Sequence, residues 1–346
     1  MVITSLHIRH FRSHTQRSVD FPNEVSLIVG ANGSGKTSLL EAIYVALQGS
    51  SFKGSDMEMI ENGAPWYRID VTFDDKTVRT VKFDPSKTSG RKQFIIGGKT
   101  SYRMTSQYKY PVVLFEPDDL RLISGSPTRR RQFIDDFISQ LDPHYALALR
   151  RYERALKQRN ALLKRAHATH DDLFAWNVSL SEHGAYIIER RLFVIGELNN
   201  RLADAYSSIA HTDDTVTIRY SEKTHANLKQ KLLADLHAHS EKDALLGFTS
   251  TGPHRHDLLF DFNGMSALSV ASRGETRSIV LALKFLEIAI IEQITQKKPV
   301  VLLDDVFSEL DEARQSHLLK KTEYQIILTS TSYAQPLLPY MTKLTL

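Results

Sequence analysis

Along the first hundred residues, apolar and polar positions alternate with a period of two. "VITSLHIRHF" and "RSVDFPNEVSLIVG" read as strands, and "RIDVTFDDKTVRTVKFD" followed by "RKQFIIGGKTS" reads as antiparallel hairpins. Between them, "SLLEAIYVAL" carries the apolar spacing of a helix. The character changes after Pro127: no proline occurs from His144 to Gly252, and the spacing is helical over most of that length. From Gly264 onward the helical "RGETRSIVLALKFLEIAIIEQI" leads into the buried-strand run "PVVLLDD", a helix from about Asp311, and a further strand, "YQIILTSTS". This order predicts an α/β fold whose core is built from both ends of the chain, with an antiparallel β subdomain and an inserted helical arm. The expected boundaries are 1–125 for the first half of the core, 126–248 for the arm, and 249–346 for the second half.

Composition adjusts this picture only slightly. At 346 residues the chain can bury two domains, and 42% hydrophobic with 24% charged residues is ordinary for a soluble protein. No apolar run reaches the length of a membrane span, and the opening "MVITSLHIRHFRSH" lacks the apolar core of a signal peptide, so a cytoplasmic location without membrane contact is expected. The absence of cysteine excludes disulfides, thiolate metal sites and a cysteine nucleophile. A net charge of +4 leans towards an anionic partner.

The candidate chemistry starts at "IVGANGSGKTSLLEAI". Gly30, Gly35, Lys36 and Thr37 fit G-x-x-x-x-G-K-[ST] between an apolar strand and a helix. The glycines let successive backbone N–H groups turn inward on an anion at the positive end of the helix. Gly30, Asn32, Gly33, Ser34, Gly35, Lys36, Thr37 and Ser38 are therefore expected to hold the phosphates of ATP. Lys36 adds a mobile cation for the outer phosphates, and Thr37 a hydroxyl for Mg²⁺. "PVVLLDDVFSELD" supplies the complement, an apolar strand ending in two carboxylates at the edge where open α/β sheets bind ligands. Asp304 is placed to hold Mg²⁺, and Asp305 to orient and deprotonate an attacking water. In "SVASRGETRSIVLALK", Ser272 and Gly274 precede a long helix, with Glu275 in its first turn; this is either a second phosphate-binding helix start or plain capping by Ser272.

A serine-glycine helix start about thirty residues before an Asp-Asp strand end, followed by "SELD", resembles the ABC-type ATPases. That resemblance implies two heads closing around two ATP molecules, with Ser272, Gly274 and Glu275 meeting the nucleotide of the other head and Ser308 to Asp311 lining the interface. Within that class the chain resembles the RecF family. The segments that carry the likeness are "SLHIRHFRSH", "GSSFKGSDMEMIENGA", "LFEPDDLRLISGSPTRRRQFID", "TSTGPHRHDLLF", the signature, and "LLDDVFSELD". It departs from the family pattern in carrying Glu275 where glutamine is usual and His256 where an acid is usual. The resemblance implies an ATP-dependent homodimer that binds single-stranded and duplex DNA, hydrolyses ATP slowly as a DNA-stimulated switch, and works with RecR and RecO to place RecA at gaps. These are the functions of recombinational repair, replication-fork maintenance and the SOS response. A transporter's ATP-binding subunit shares the three motifs but not the basic arm, and an ABC-headed nuclease needs a further metal-carboxylate domain.

The arm contributes its own argument for DNA. In "YALALRRYERALKQRNALLKR" a helix gathers Arg150, Arg154, Lys157, Lys164 and Arg165 into one stripe opposite Leu149, Tyr152, Leu156 and Leu163. Such a row suits phosphate contacts, and it is also what a solvated helix face looks like. Arg129, Arg130 and Arg131 fall at a helix start, where cations oppose the helix dipole, an arrangement that hints at function. The segment around Leu173, Trp176, Leu180, Ile187, Leu198 and Leu202 is expected to pack a helical hairpin, and His254 to be structural.

Overall fold

The N-terminal alternation folds into strands β1 (Ile3–Phe11) and β2 (His14–Asp20), followed by β3 (Val25–Val29) and helix α1 (Lys36–Gln48). Strands β4 (Tyr67–Phe73), β5 (Val78–Phe83), β6 (Lys92–Ile96), β7 (Lys99–Ser101) and β8 (Val112–Phe115) complete this part of the chain. The computed structural model describes residues 1–22, 24–165, 170–223, 225–319, 323–331 and 341–346. Two compact units divide it: Met1–Asp119 with Ile288–Leu346, and Leu120–Glu287.

In the first unit, β2, β1, β4, β5, β6 and β7 form an antiparallel sheet in that order. Its period-two pattern buries Leu6 opposite Val71 and Ile8 opposite Ile69, in a core shared with Leu39, Leu40 and Ile43 of α1. β3 is different: all five of its residues are buried, as a strand covered on both faces requires.

The second unit begins with α2 (Pro127–Leu141) and α3 (Pro143–Leu163), each with proline in its first turn and a capping side chain, Ser126 and Asp142. Next come α4 (His170–Ala210), β9 (Val216–Tyr220), α5 (Leu228–Ala238), α6 (Ser240–Leu246), β10 (Leu258–Phe262), β11 (Met265–Ser266) and the short α7 (Ala267–Val270). α8 follows (Arg273–Thr295). On α4, Leu173, Leu180, Ile187, Leu198 and Leu202 are buried as their spacing predicts, and Trp176 is half-buried. β9 interrupts the stretch read as helical. It pairs antiparallel with β10, placing Val216 opposite Phe262 and Ile218 opposite Phe260, a pairing with a strand about forty residues away that local spacing does not encode. Two fully buried arginines cross-link the helices: Arg159 with Asp243, and Arg191 with Asp135, each at 2.7 Å.

The chain then returns to the first unit through β12 (Val300–Leu303), α9 (Glu312–Leu319), β13 (Ile326–Ser330) and β14 (Met341–Thr345). These join β3 and β8 in one parallel sheet of order β14-β3-β13-β12-β8, so both ends of the chain do build one core. The edge strands β8 and β14 go beyond what the pattern predicts. β3 and β12, separated only by β13, bring their carboxyl ends to the same edge.

Candidate nucleotide site

That edge assembles the phosphate loop and the paired aspartates. The loop leaves β3 at Gly30 and enters α1 at Lys36. Gly35 sits at φ +92°, and a Cβ there would lie 2.3 Å from Nε2 of His14, so backbone conformation and neighbour both demand glycine. His14 Nε2 lies 3.1 Å from the Gly35 carbonyl oxygen and braces the turn. Asn32 and Gly33 are exposed, Ser38 is half-buried, and the buried Ser34 hydroxyl has no hydrogen-bond partner. A buried hydroxyl with no partner, in a loop that leads into a helix N-terminus, fits a phosphate oxygen.

Lys36 is buried. Its Nζ donates to the carbonyls of Gly30 at 2.9 Å and Ala31 at 3.2 Å, and stands 3.8 Å from Oδ2 of Asp305. The Thr37 hydroxyl lies 2.8 and 2.9 Å from the two carboxylate oxygens of Asp304, 267 residues away in sequence. A hydroxyl beside a carboxylate is a hard-oxygen pair of the kind Mg²⁺ takes when phosphate and water complete its shell. The site residues present thus fit both groups.

Asp304 is buried and Asp305 half-buried. Asp305 also adopts a left-handed conformation, φ 50°, which turns the chain at the end of β12. Thr329 at the end of β13 holds both residues: the Asp305 N–H donates to its Oγ1 at 2.9 Å, and Oγ1 donates to Asp304 Oδ1 at 3.0 Å. Burial raises the Asp305 carboxyl above the usual aspartate range, Lys36 pulls it back, and the Asp304 charge pushes it up again. Sequence reasoning missed Thr329, Lys53 and His14. Thr329 lies in the strand "QIILTSTS", and Lys53, 3.6 Å from Asp304 Oδ2, lies in the family-like segment after α1.

In the second unit, Ser272 and Glu275 cap α8 reciprocally: Ser272 N–H donates to Glu275 Oε2 at 2.6 Å, and Glu275 N–H donates to Ser272 Oγ at 3.2 Å. Glu275 therefore has a structural role that its departure from glutamine left unexplained. Ser272 is exposed and Gly274 half-buried. Of Ser308–Asp311, the backbone runs through a single 3₁₀ turn to Glu309, while the Ser308 side chain lies outside the described residues.

The arm cations separate into two kinds. Arg150, Arg154 and Lys157 are exposed along α3, but the helix ends at Leu163, so Lys164 and Arg165 leave the stripe. Arg130 corrects the expectation of a DNA-facing residue. It is buried, forks onto Asp257 at 2.7 and 2.8 Å, and donates to the carbonyls of Leu122, Ile123 and Gly125. Its place at the helix start is explained by that anchor. Arg131 donates to the His256 carbonyl at 2.8 Å, while Arg129 is half-buried. His254 is locked between the Tyr152 hydroxyl at 2.6 Å and the Thr249 carbonyl at 3.0 Å, and burial holds it neutral with a pKa near 4. His256 packs on Tyr220 and is likewise lowered by burial to about 4.

Residues 5–230 match the AAA domain family. The DNA replication and repair protein RecF of Clostridium acetobutylicum is 32% identical over 341 residues, covering 96% of this chain and 93% of its own. The protein of the same name from Natranaerobius thermophilus is 33% identical over 357 residues, covering 96% and 92%. The chain belongs to the RecF family. A solved RecF–ATPrS structure, a recombination mediator protein of the RecFOR pathway, superposes with a TM-score of 0.88 at 29% identity over 99% of this chain and 95% of its own. A RecF–ATP structure gives 0.85 at 31% identity, with the same coverage. An SMC head bound to the C-winged helix domain of ScpA, at 0.52 and 17% identity over 96% of this chain and 90% of its own, shares the fold. No described helix is long and apolar enough to cross a membrane.

Proposed function

We propose that this chain is an ATP-dependent DNA-binding protein of replication and recombinational repair, in which ATP joins two copies on DNA and slow hydrolysis releases them. One observation carries the nucleotide half of this reading: the Thr37 hydroxyl and the Asp304 carboxylate meet at 2.8 Å beside the Lys36 and Asp305 pair. Mg²⁺ held by Thr37 and Asp304 supplies neutralisation of phosphate charge when bound. Loop N–H groups and the free Ser34 hydroxyl bind the phosphates, and Lys36 exchanges its loop carbonyls for phosphate oxygen. Asp305 takes the proton of a water that attacks the γ-phosphorus as the bond to the bridging oxygen breaks, giving ADP and phosphate.

Ser272 and Gly274 of one copy complete the site of the other, with Glu275 as their support. Arg150, Arg154 and Lys157, with Arg129 and Arg131 as secondary contacts, bind the DNA backbone of single strands, duplexes and gap junctions. RecR and RecO are the partners and RecA the protein placed, a reading supported by the RecFOR membership of the solved relatives. The test is the molar mass in solution without nucleotide, with ADP and with ATP, for the wild type and Ser272→Arg. ATP-specific doubling that the variant loses is expected. A mass that never changes, with or without duplex DNA, overturns the clamp.

A further inference from the structure

The segment from α5 to β10 carries a structural investment that neither the nucleotide site nor the cation stripe uses. Asp243, in the middle of α6, is fully buried. It accepts NH1 of the fully buried Arg159 at 2.7 Å and the backbone N–H of Ser250 at 2.9 Å. Arg159 donates further to Asn177 Oδ1 at 2.7 Å and Thr249 Oγ1 at 2.8 Å, and Thr249 is tied in turn to Asn160 of α3. Two charges withdrawn from water with their hydrogen bonds filled fix one geometry rather than add much stability. α6 and the residues after it are thus clamped to α3 and α4 in a single pose.

The inward face of α6 is spent on that polar clamp, and its apolar residues turn outward. Leu245 is 90% exposed, Leu246 46% and Phe248 38%. They are exposed because the backbone is pinned with Asp243 inward, so they have no route to the core. Gly247, at φ +72°, ends α6, and the stem of Lys164 lies against it. Leu245, Leu246, Leu163, Lys164, Arg165 and Glu241 border an open depression of about 810 Å³. Exposed leucines on a rigid platform beside a depression mark an interaction surface, because scattered surface apolars neither cluster nor line a recess.

Charge selects the partner. Lys164 and Arg165 rim the depression and, among the described residues, make no ion pair. Lys242 is exposed nearby in sequence, and Arg255 lies over the Phe248 ring at 4.7 Å to its centroid. Glu241 is the opposing charge in the lining. We propose that this face of the second unit docks an acidic protein segment, whose bulky apolar side chain enters the depression against Leu245 and Leu246 while its carboxylates meet Lys164 and Arg165. A nucleic acid backbone would satisfy the two cations and leave Leu245 and Leu246 in water, so the apolar part of the surface argues for protein.

The test uses the full chain and a fluorescein-labelled ten-residue peptide alternating aspartate with leucine and ending in phenylalanine. Two controls replace its leucines and phenylalanine by serine, or its aspartates by lysine. Anisotropy should show binding in the range of tens of micromolar for the first peptide, at least tenfold stronger than for either control. Leu245→Ser, at a position too exposed to affect folding, and the double variant Lys164→Glu/Arg165→Glu should each weaken it at least tenfold. Equal binding of all three peptides, or no effect of Leu245→Ser, overturns the proposal. So does a loss of duplex DNA binding in Leu245→Ser, which would assign the face to nucleic acid. A concentration-dependent molar mass that Leu245→Ser abolishes would assign it to a second copy instead.

Discussion

Ser272 and Glu275 satisfy one another at the start of α8: the serine N–H reaches the glutamate carboxylate at 2.6 Å, and the glutamate N–H reaches the serine hydroxyl at 3.2 Å. The helix start that the family resemblance assigns to a partner's phosphate is therefore also a complete capping box. Glutamine in place of Glu275 keeps an acceptor for the serine N–H, whereas alanine removes it. Chemical denaturation should give Glu275→Gln a stability close to the wild type, while Ser272→Ala loses about 1 kcal/mol. A loss in Glu275→Gln as large as in Ser272→Ala would mean that charge, not geometry, holds this helix start.

Asp305 and Lys36 should separate binding from turnover. Lys36→Ala should lose ATP binding in a fluorescent-nucleotide titration, since the loop keeps no other buried cation. Asp305→Asn should bind ATP but hydrolyse it at least tenfold more slowly, trapping the joined form. The base works only when ionised, and its carboxyl lies above the usual aspartate range. Hydrolysis should therefore fall with decreasing pH before a solvent-exposed aspartate, at about 3.9, would protonate. That acid limb should vanish in Asp305→Asn, and its persistence there would place the base elsewhere.

Arg130 and Asp257 should behave as structure. Arg130→Ala strips the mostly buried Asp257 carboxylate of its counter-charge and the carbonyls of Leu122, Ile123 and Gly125 of their shared donor, and the unfolding free energy should drop by about 3 kcal/mol. The folded fraction should bind duplex DNA as tightly as the wild type. Weaker DNA binding at full folding would return Arg130 to the nucleic acid surface.

The exposed stripe on α3 makes the opposite prediction. Reversing Arg150, Arg154 and Lys157 to glutamate should leave stability within about 0.5 kcal/mol of the wild type for each site. DNA affinity should fall, with the slope of its logarithm against log salt smaller by about three. Unchanged affinity would make the stripe a solvated face.

Much of the nucleotide site is legible in the chain because its parts are local. A strand, a glycine turn and a helix start within sixteen residues dictate their own geometry, and a run of buried β residues ending in two aspartates announces a sheet edge. The binding proposed for this loop rests on backbone N–H groups, so the motif needs no distant partner to be recognised. The period-two and helical patterns likewise determine β1, β2, β4 to β6 and the long helices, because one face of each must be buried, while β3 is read from its apolar run. Contacts across many residues are decided only by the tertiary fold. Thr329 gains its role because β13 lies between β3 and β12. β9 becomes a strand because β10 pairs with it, and Arg130 turns from a candidate phosphate ligand into an anchor because Asp257 arrives 127 residues later. The leucines of α6 face water for the same reason. Arg159, on a helix more than eighty residues earlier, holds Asp243 inward, and a helix that buries one face must show the other.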